Sequence, residues 1–178
     1  MKEIYTLLVE PHTAAVALIG MGGIGKSTLA SLVLNYAERE QRAGGGIFQG
    51  EPVLLRINEN TTFLELAANI FAAVGKPVPD LSSLPPQNQA YATFNALNTT
   101  DTTDTPRLII LDQFENLLDP HSGRALTPHS GVSEFLDALN SQPCACHVLL
   151  TSRPYPHGSR NDAPAALRIY RVDGLDTS

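Results

Sequence analysis

The stretch Gly20-Met21-Gly22-Gly23-Ile24-Gly25-Lys26-Ser27-Thr28 constrains this chain more than any other part of it. It carries the spacing Gly-x-x-x-x-Gly-Lys-Ser, and the sequence changes character on either side of it. Ala14-Ala15-Val16-Ala17-Leu18-Ile19 is an unbroken apolar run and reads as a buried strand. Leu29 to Leu34 reads as the start of a helix. Glycines between a strand and a helix let the backbone curl until several N–H groups point at one cluster of oxygens. The helix N-terminus adds unpaired donors and partial positive charge. This arrangement predicts a cradle for the phosphates of a nucleotide, built from the main chain of residues 20–28. Lys26 is placed to reach the β- and γ-phosphates, and the Ser27 hydroxyl to ligate Mg²⁺.

Strand and helix signals alternate along the rest of the chain, which predicts a parallel sheet wrapped by helices. Residues Lys26 to Glu40 form the expected first helix, ended by Gly44-Gly45-Gly46. Val53 to Ile57 reads as a second strand. Phe63 to Val74 reads as a helix, because Phe63, Leu66, Ala67 and Ile70 recur at three- and four-residue spacing. Thr61 or Thr62 is placed to cap it, and Glu65, three residues after Thr62, has the spacing to complete a capping box. Lys76 to Gln87 contains four prolines and is expected as loop, followed by a short helix over Ala90 to Leu97. Asn98 to Thr105 is a polar, low-complexity connection. Leu108 to Leu111 is the expected third strand, Asp119 to Ser130 a loop, and Val132 to Asn140 an amphipathic helix. His147 to Thr151 is a fourth strand, stopped by Pro154 and Pro156, and Leu167 to Val172 a fifth.

With 178 residues the chain is long enough for one domain with a sizeable core. Its net charge of −6 argues against nucleic acid as a main partner. No apolar run has the length of a membrane span, and the first twenty residues lack a secretory signal. The two cysteines, Cys144 and Cys146, with His147 do not make a four-ligand zinc site and read as reduced thiols entering a strand. These features together predict a cytoplasmic location. Asn60-Thr61-Thr62 and Asn98-Thr99-Thr100 match the glycosylation pattern and are read as incidental.

A phosphate cradle needs a metal-holding acid to become a hydrolytic site. Leu108-Ile109-Ile110-Leu111-Asp112 supplies one, since ligands of open parallel sheets sit outside the carboxyl ends of strands. Asp112 is therefore the second expected Mg²⁺ ligand, beside Ser27. Many ATPases place a second carboxylate directly after this aspartate, but here that position is Gln113. Glu115 lies three residues beyond Asp112. If the backbone turns helical at Phe114, Glu115 shares a side with Asp112 and can orient or deprotonate an attacking water. If the strand continues, the two face opposite ways. The fourth strand ends in Thr151-Ser152-Arg153, and an arginine there is placed to sense a γ-phosphate. Arg56 has a weaker version of the same argument and stays outside the core set. The candidate catalytic residues are thus Lys26, Asp112, Glu115 and Arg153. The only lysines are Lys2, Lys26 and Lys76, none preceded by asparagine, so the guanine code Asn-Lys-x-Asp is absent.

Four segments resemble the NB-ARC domain of the STAND class of signal-transduction ATPases, in its bacterial form. The phosphate loop from Gly20 to Ala30 is the specific match. Leu108 to Asp112, with the ending Asp112-Gln113-Phe114-Glu115, resembles the Walker B strand. Val148 to Arg153 resembles the sensor strand, with Arg153 matching the arginine that contacts the γ-phosphate. Tyr170 to Leu175 resembles the strand that leads into a helical arm. The resemblance implies the fold of P-loop NTPases: a three-layer α/β sandwich with about five parallel strands, helices on both faces, and the sensor strand between the phosphate-loop and Walker B strands.

It also implies that residues 1–178 are the nucleotide-binding core of a larger regulator, cut before the helical and winged-helix subdomains that close over ADP. The function implied is an ATP/ADP-dependent switch with weak Mg²⁺-dependent hydrolysis, slowed because Gln113 stands where an acid is usual. The expected partners are an adenine nucleotide, the remaining subdomains of the parent protein and further copies of the chain in a nucleotide-dependent oligomer, with no membrane or nucleic acid. Two alternatives stand beside this reading. One is a non-hydrolysing nucleotide-binding scaffold. The other is a P-loop phosphotransferase whose lid would use Arg153, Arg160, Arg168 and Arg171.

Overall fold

A computed structural model describes residues 1–48, 50–98, 107–127, 130–141, 144–158 and 166–173. The polar connection over 99–105, Arg160 and Gly174-Leu175 lie outside the described residues. The chain runs α1 (Lys2–Val9), β1 (Ala15–Ile19), α2 (Lys26–Arg42), β2 (Val53–Arg56), α3 (Phe63–Ala73), α4 (Pro86–Asn98), β3 (Leu108–Asp112), α5 (Val132–Ser141), β4 (His147–Ser152) and β5 (Leu167–Arg171). Short 3₁₀ turns at Leu81–Ser83 and Phe114–Leu117 interrupt two connections.

The five strands form one parallel sheet in the order β2-β3-β4-β1-β5. The strand carrying Arg153 at its end, β4, therefore separates the phosphate-loop strand β1 from β3, as the resemblance implied. Side chains alternate across a strand, and here the alternation sorts the apolar residues into two cores. Ala15, Ala17, Ile109, Leu111, Val148 and Leu150 face α3, α4 and α5, with Phe63, Phe94 and Phe135 among their partners. Val16, Leu18, Leu108, Ile110 and Leu149 face α1 and α2, packing on Ile4, Leu8, Ala30, Val33 and Phe48. Strands β1, β3 and β4 are covered on both sides, which explains their continuous apolar runs.

Local chemistry sets the element ends. At α3 the capping box is complete: the Thr62 amide donates to Glu65 Oε2 at 2.8 Å, and the Glu65 amide donates to Thr62 Oγ1 at 3.2 Å. The proline-rich loop is shorter than the sequence suggests. Helix α4 begins at Pro86, because proline at a first helical position loses no hydrogen bond and already has the right φ. Of the two backbone courses open after Asp112, the chain takes the helical one, as a single 3₁₀ turn over Phe114–Leu117. Helix α1 carries no strong sequence signal, yet Ile4 and Leu8, four residues apart, are wholly buried against the sheet.

Helix α1 is tied to β4 by His147, whose Nδ1 donates to the Leu8 carbonyl at 2.6 Å. Burial lowers the pKa of His147 below the ordinary imidazole value, with the Leu8 hydrogen bond opposing that shift. Below about pH 6.5 an unfolded chain takes up a proton that the folded histidine resists. This group's contribution is therefore complete above that pH and declines as the pH falls below it. Melting temperature should drop between pH 7 and pH 5.5, and His147→Gln should show a smaller drop across the same interval.

Candidate functional site

The site follows from the parity of the strands. Leu108 and Ile110 point towards α2, so Asp112, two residues further, must do the same. Leu149 and Thr151 follow the same rule on β4. Asp112 is 4 % exposed and Thr151 1 %. One carboxylate oxygen, Asp112 Oδ1, accepts from Ser27 Oγ at 2.8 Å and from Thr151 Oγ1 at 2.7 Å. Thr151 Oγ1 in turn accepts from the Gln113 amide at 2.9 Å. A single buried anion thus joins the start of α2, the end of β3 and the end of β4.

The phosphate loop takes left-handed backbone at two glycines, Gly23 (φ 78°) and Gly25 (φ 100°). A side chain at either position would be strained by roughly 1 kcal/mol or more, which is why glycine recurs there. Gly20 is required for a different reason: a Cβ there would lie 2.7 Å from the Val172 carbonyl oxygen beyond β5. Lys26 is 6 % exposed. Its ammonium donates to the carbonyls of Gly20 and Met21, each at 2.8 Å. Burial is the main force lowering the Lys26 pKa; Glu115 acts against it, Arg153 adds to it, and Asp112 opposes it. The ammonium is thus held at the loop's centre by main-chain oxygens, close to two acids.

Beyond Asp112 the chain turns at Gln113, which adopts left-handed backbone (φ 63°), and enters the 3₁₀ turn Phe114–Leu117. The helical geometry considered for Glu115 is the one observed. Glu115 and Arg153 meet across the cleft, with Glu115 Oε1 and Arg153 Nε 3.2 Å apart. Asn116 anchors the turn by donating to the Ile57 carbonyl at 2.7 Å, next to the Ile57 amide that donates to Asp112 O at 2.9 Å.

These groups surround a cleft of about 310 Å³. Gly22, Gly23, Gly25, Lys26, Ser27 and Thr28 form its loop side, and Gln113, Glu115, Asn116, Thr151 and Arg153 the other. Gly20, Met21 and Ile24 belong to the loop but do not line the cleft, and Asp112 lies behind its wall, reaching it through Ser27 and Thr151. Thr151 and Asn116 were not picked out from the sequence, and Gln113 was noted there only as a missing acid; a threonine closing a buried apolar strand was the one available signal. Arg56 lines a separate polar hollow with Asn58, Asn60, Thr61 and Glu65. Arg168 and Arg171 lie on β5 and do not line the cleft.

The donor set suits Mg²⁺. A hydroxyl and a carboxylate converge at Ser27 and Asp112, and Mg²⁺ is commonly held by one or two carboxylates with substrate phosphates and water. Among the described residues no group of three or more histidine, cysteine or acidic side chains is placed to bind a metal by itself. The two thiols are elsewhere: Cys146 is buried, and burial pushes the Cys144 thiol up to about 12.

A glycine loop between β1 and α2, an aspartate at the end of β3 and the sheet order 2-3-4-1-5 define a P-loop NTPase fold. The family described as an AAA domain matches residues 10–155, and the chain belongs to that family. Among solved structures, the Aeropyrum pernix ORC2 protein in ADPNP-ADP complexes aligns with a TM-score of 0.53 at 16 % identity, over 85 % of this chain and 40 % of its own. A DNA polymerase III gamma subunit-related protein from Thermotoga maritima aligns with a TM-score of 0.48 at 11 % identity, over 98 % of this chain and 46 % of its own. The chain spans less than half the length of both, and at these identities the likeness concerns the fold alone. No curated protein matches the sequence. Among the described residues, no helix is long and apolar enough to cross a membrane.

Thr151→Val keeps the side-chain shape but removes both hydrogen bonds of the hydroxyl. The Gln113 amide loses its acceptor and Asp112 one of its donors. The variant should lose about 1–3 kcal/mol of stability, measured by urea denaturation.

Proposed function

We propose that this chain is an ATP/ADP-binding switch module of a larger signal-transduction regulator of the STAND class, with slow Mg²⁺-dependent ATP hydrolysis. The observation that carries the reading is the convergence of Lys26, Ser27, Glu115 and Arg153 on one cleft, with Asp112 buried behind it and bonded to Ser27 and Thr151. Membership of the AAA domain family supports nucleotide chemistry in general. The signalling role rests on the motif resemblance, above all the phosphate loop and the arginine closing β4. Adenine is favoured by the absence of the guanine code and by the ADPNP-ADP complexes of the ORC2 neighbour.

In this reading the amides of residues 22–28 take the phosphate oxygens, and Lys26 exchanges the Gly20 and Met21 carbonyls for the β- and γ-phosphates. Ser27 and Asp112 would hold Mg²⁺, which when bound neutralises charge on the phosphates. Thr151 keeps the Asp112 carboxylate oriented. Glu115 positions a water and accepts its proton as the water oxygen bonds to the γ-phosphorus and the bond to the ADP oxygen breaks. Arg153 balances the charge of the γ-phosphate. Gln113 contributes no carboxylate, in keeping with slow turnover. A γ-phosphate shifts a conformational equilibrium only through contacts made in one state, and Arg153 is the residue assigned that contact. Helical and winged-helix subdomains of the parent protein would close over ADP, and exchange for ATP would permit assembly with further copies.

Lys26→Ala tests the reading. Adding ADP with Mg²⁺ to the wild-type chain should raise its melting temperature as ligand is taken from Kd to a hundredfold excess. The variant should fold with a similar melting temperature without ligand and gain nothing from it. An equal ligand-induced shift in both proteins would refute the assignment.

A further inference from the structure

The one ion pair in the cleft among the described residues has an uneven environment. Arg153 is an exposed side chain at 67 %, whereas Glu115 is 16 % exposed. Glu115 Oε1 is paired with Arg153, but its second oxygen, Oε2, is buried and has no hydrogen-bond partner among the described residues. The guanidinium lies over the phosphate loop, with Arg153 Cζ about 3.5 Å from where a Cβ on Gly22 would stand. Arg153 therefore sits between the acid and the phosphate loop. Lys26, the other cation nearby, is occupied by two loop carbonyls.

From this arrangement we infer that Glu115 is a specificity-determining residue, which sets the discrimination between ATP and ADP by competing with the γ-phosphate for Arg153. The inference rests on the nucleotide reading above and adds a regulatory element to it. A diphosphate leaves the pair intact, because nothing reaches Arg153. A triphosphate brings two or more negative charges against the guanidinium, and Arg153 must loosen its hold on Glu115 to meet them. The release has a second consequence. A carboxylate with a buried, unpartnered oxygen loses its counter-charge and needs a new donor, and a water beside the γ-phosphate is the available one. The same event that registers the triphosphate thereby frees the group assigned to activate water.

A double-mutant cycle on the full chain tests this, using calorimetry with Mg²⁺ and either ADPNP, which is not hydrolysed, or ADP. Glu115→Gln keeps the side-chain shape and removes the competing charge. It should tighten ADPNP by about fivefold, the upper range for an ion pair with an exposed arginine, and leave ADP within about twofold. In an Arg153→Ala background the same substitution should change ADPNP binding by less than about twofold. Arg153→Gln serves as a second background should Arg153→Ala fail to give a cooperative melt.

A fivefold gain that persists without the arginine overturns the inference, because simple repulsion between Glu115 and the phosphates then explains it. An equal gain for ADP overturns it as well, since the discrimination would be unchanged. Absence of binding of either nucleotide by the wild-type chain overturns the nucleotide reading and the inference with it. The first two outcomes leave the nucleotide reading standing.

Discussion

One carboxylate oxygen organises the site. Asp112 Oδ1 accepts from Ser27 on α2 and from Thr151 on β4 at the same time, so three elements distant in sequence are held in one register. Burying a carboxylate is costly unless hydrogen bonds compensate it, and here two hydroxyls serve one of its oxygens. The same bonds bear on the proposed metal role. A hydroxyl and a carboxylate already at hydrogen-bond distance need little rearrangement to admit a small hard cation between them and a phosphate tail.

The sheet makes this convergence possible. Placing β4 between β1 and β3 brings three carboxyl ends side by side, carrying the phosphate loop, Thr151-Ser152-Arg153 and Asp112-Gln113. Each end contributes a different kind of group: main-chain donors, a hydroxyl with a guanidinium, and a carboxylate. None of the described residues lining the cleft has a large apolar side chain, which suits a polyanionic ligand better than an apolar one. The left-handed turn at Gln113 completes the arrangement, because it directs the chain into the 3₁₀ turn and swings Glu115 back towards the loop. Asn116 holds that turn against the end of β2.

Belonging to the AAA domain family places the chain among P-loop nucleotide-binding proteins without specifying its cellular task. The switch reading adds the task from motif resemblance, and the Glu115–Arg153 pair offers a physical element through which a triphosphate and a diphosphate would differ. That pair involves an exposed arginine and is therefore weak enough to be exchanged for a phosphate. A fully buried pair would resist such an exchange.

The sequence by itself determined most of the elements and the chemistry at several of their ends. The glycine loop, the apolar strands β1, β3 and β4, the capping box at Thr62 and the aspartate closing β3 all express local rules, in which neighbouring residues set backbone conformation or burial. Tertiary structure alone decided the rest. The orientation of Glu115 depended on whether the backbone would continue or turn at Gln113, and that turn is held by a Thr151 hydroxyl from another strand. The burial of α1 depended on a sheet face assembled from distant segments. The roles of Thr151 and Asn116 in the cleft were invisible for the same reason: each acts through a partner about forty to sixty residues away in sequence, and no local pattern records which distant groups the fold will bring within hydrogen-bond distance.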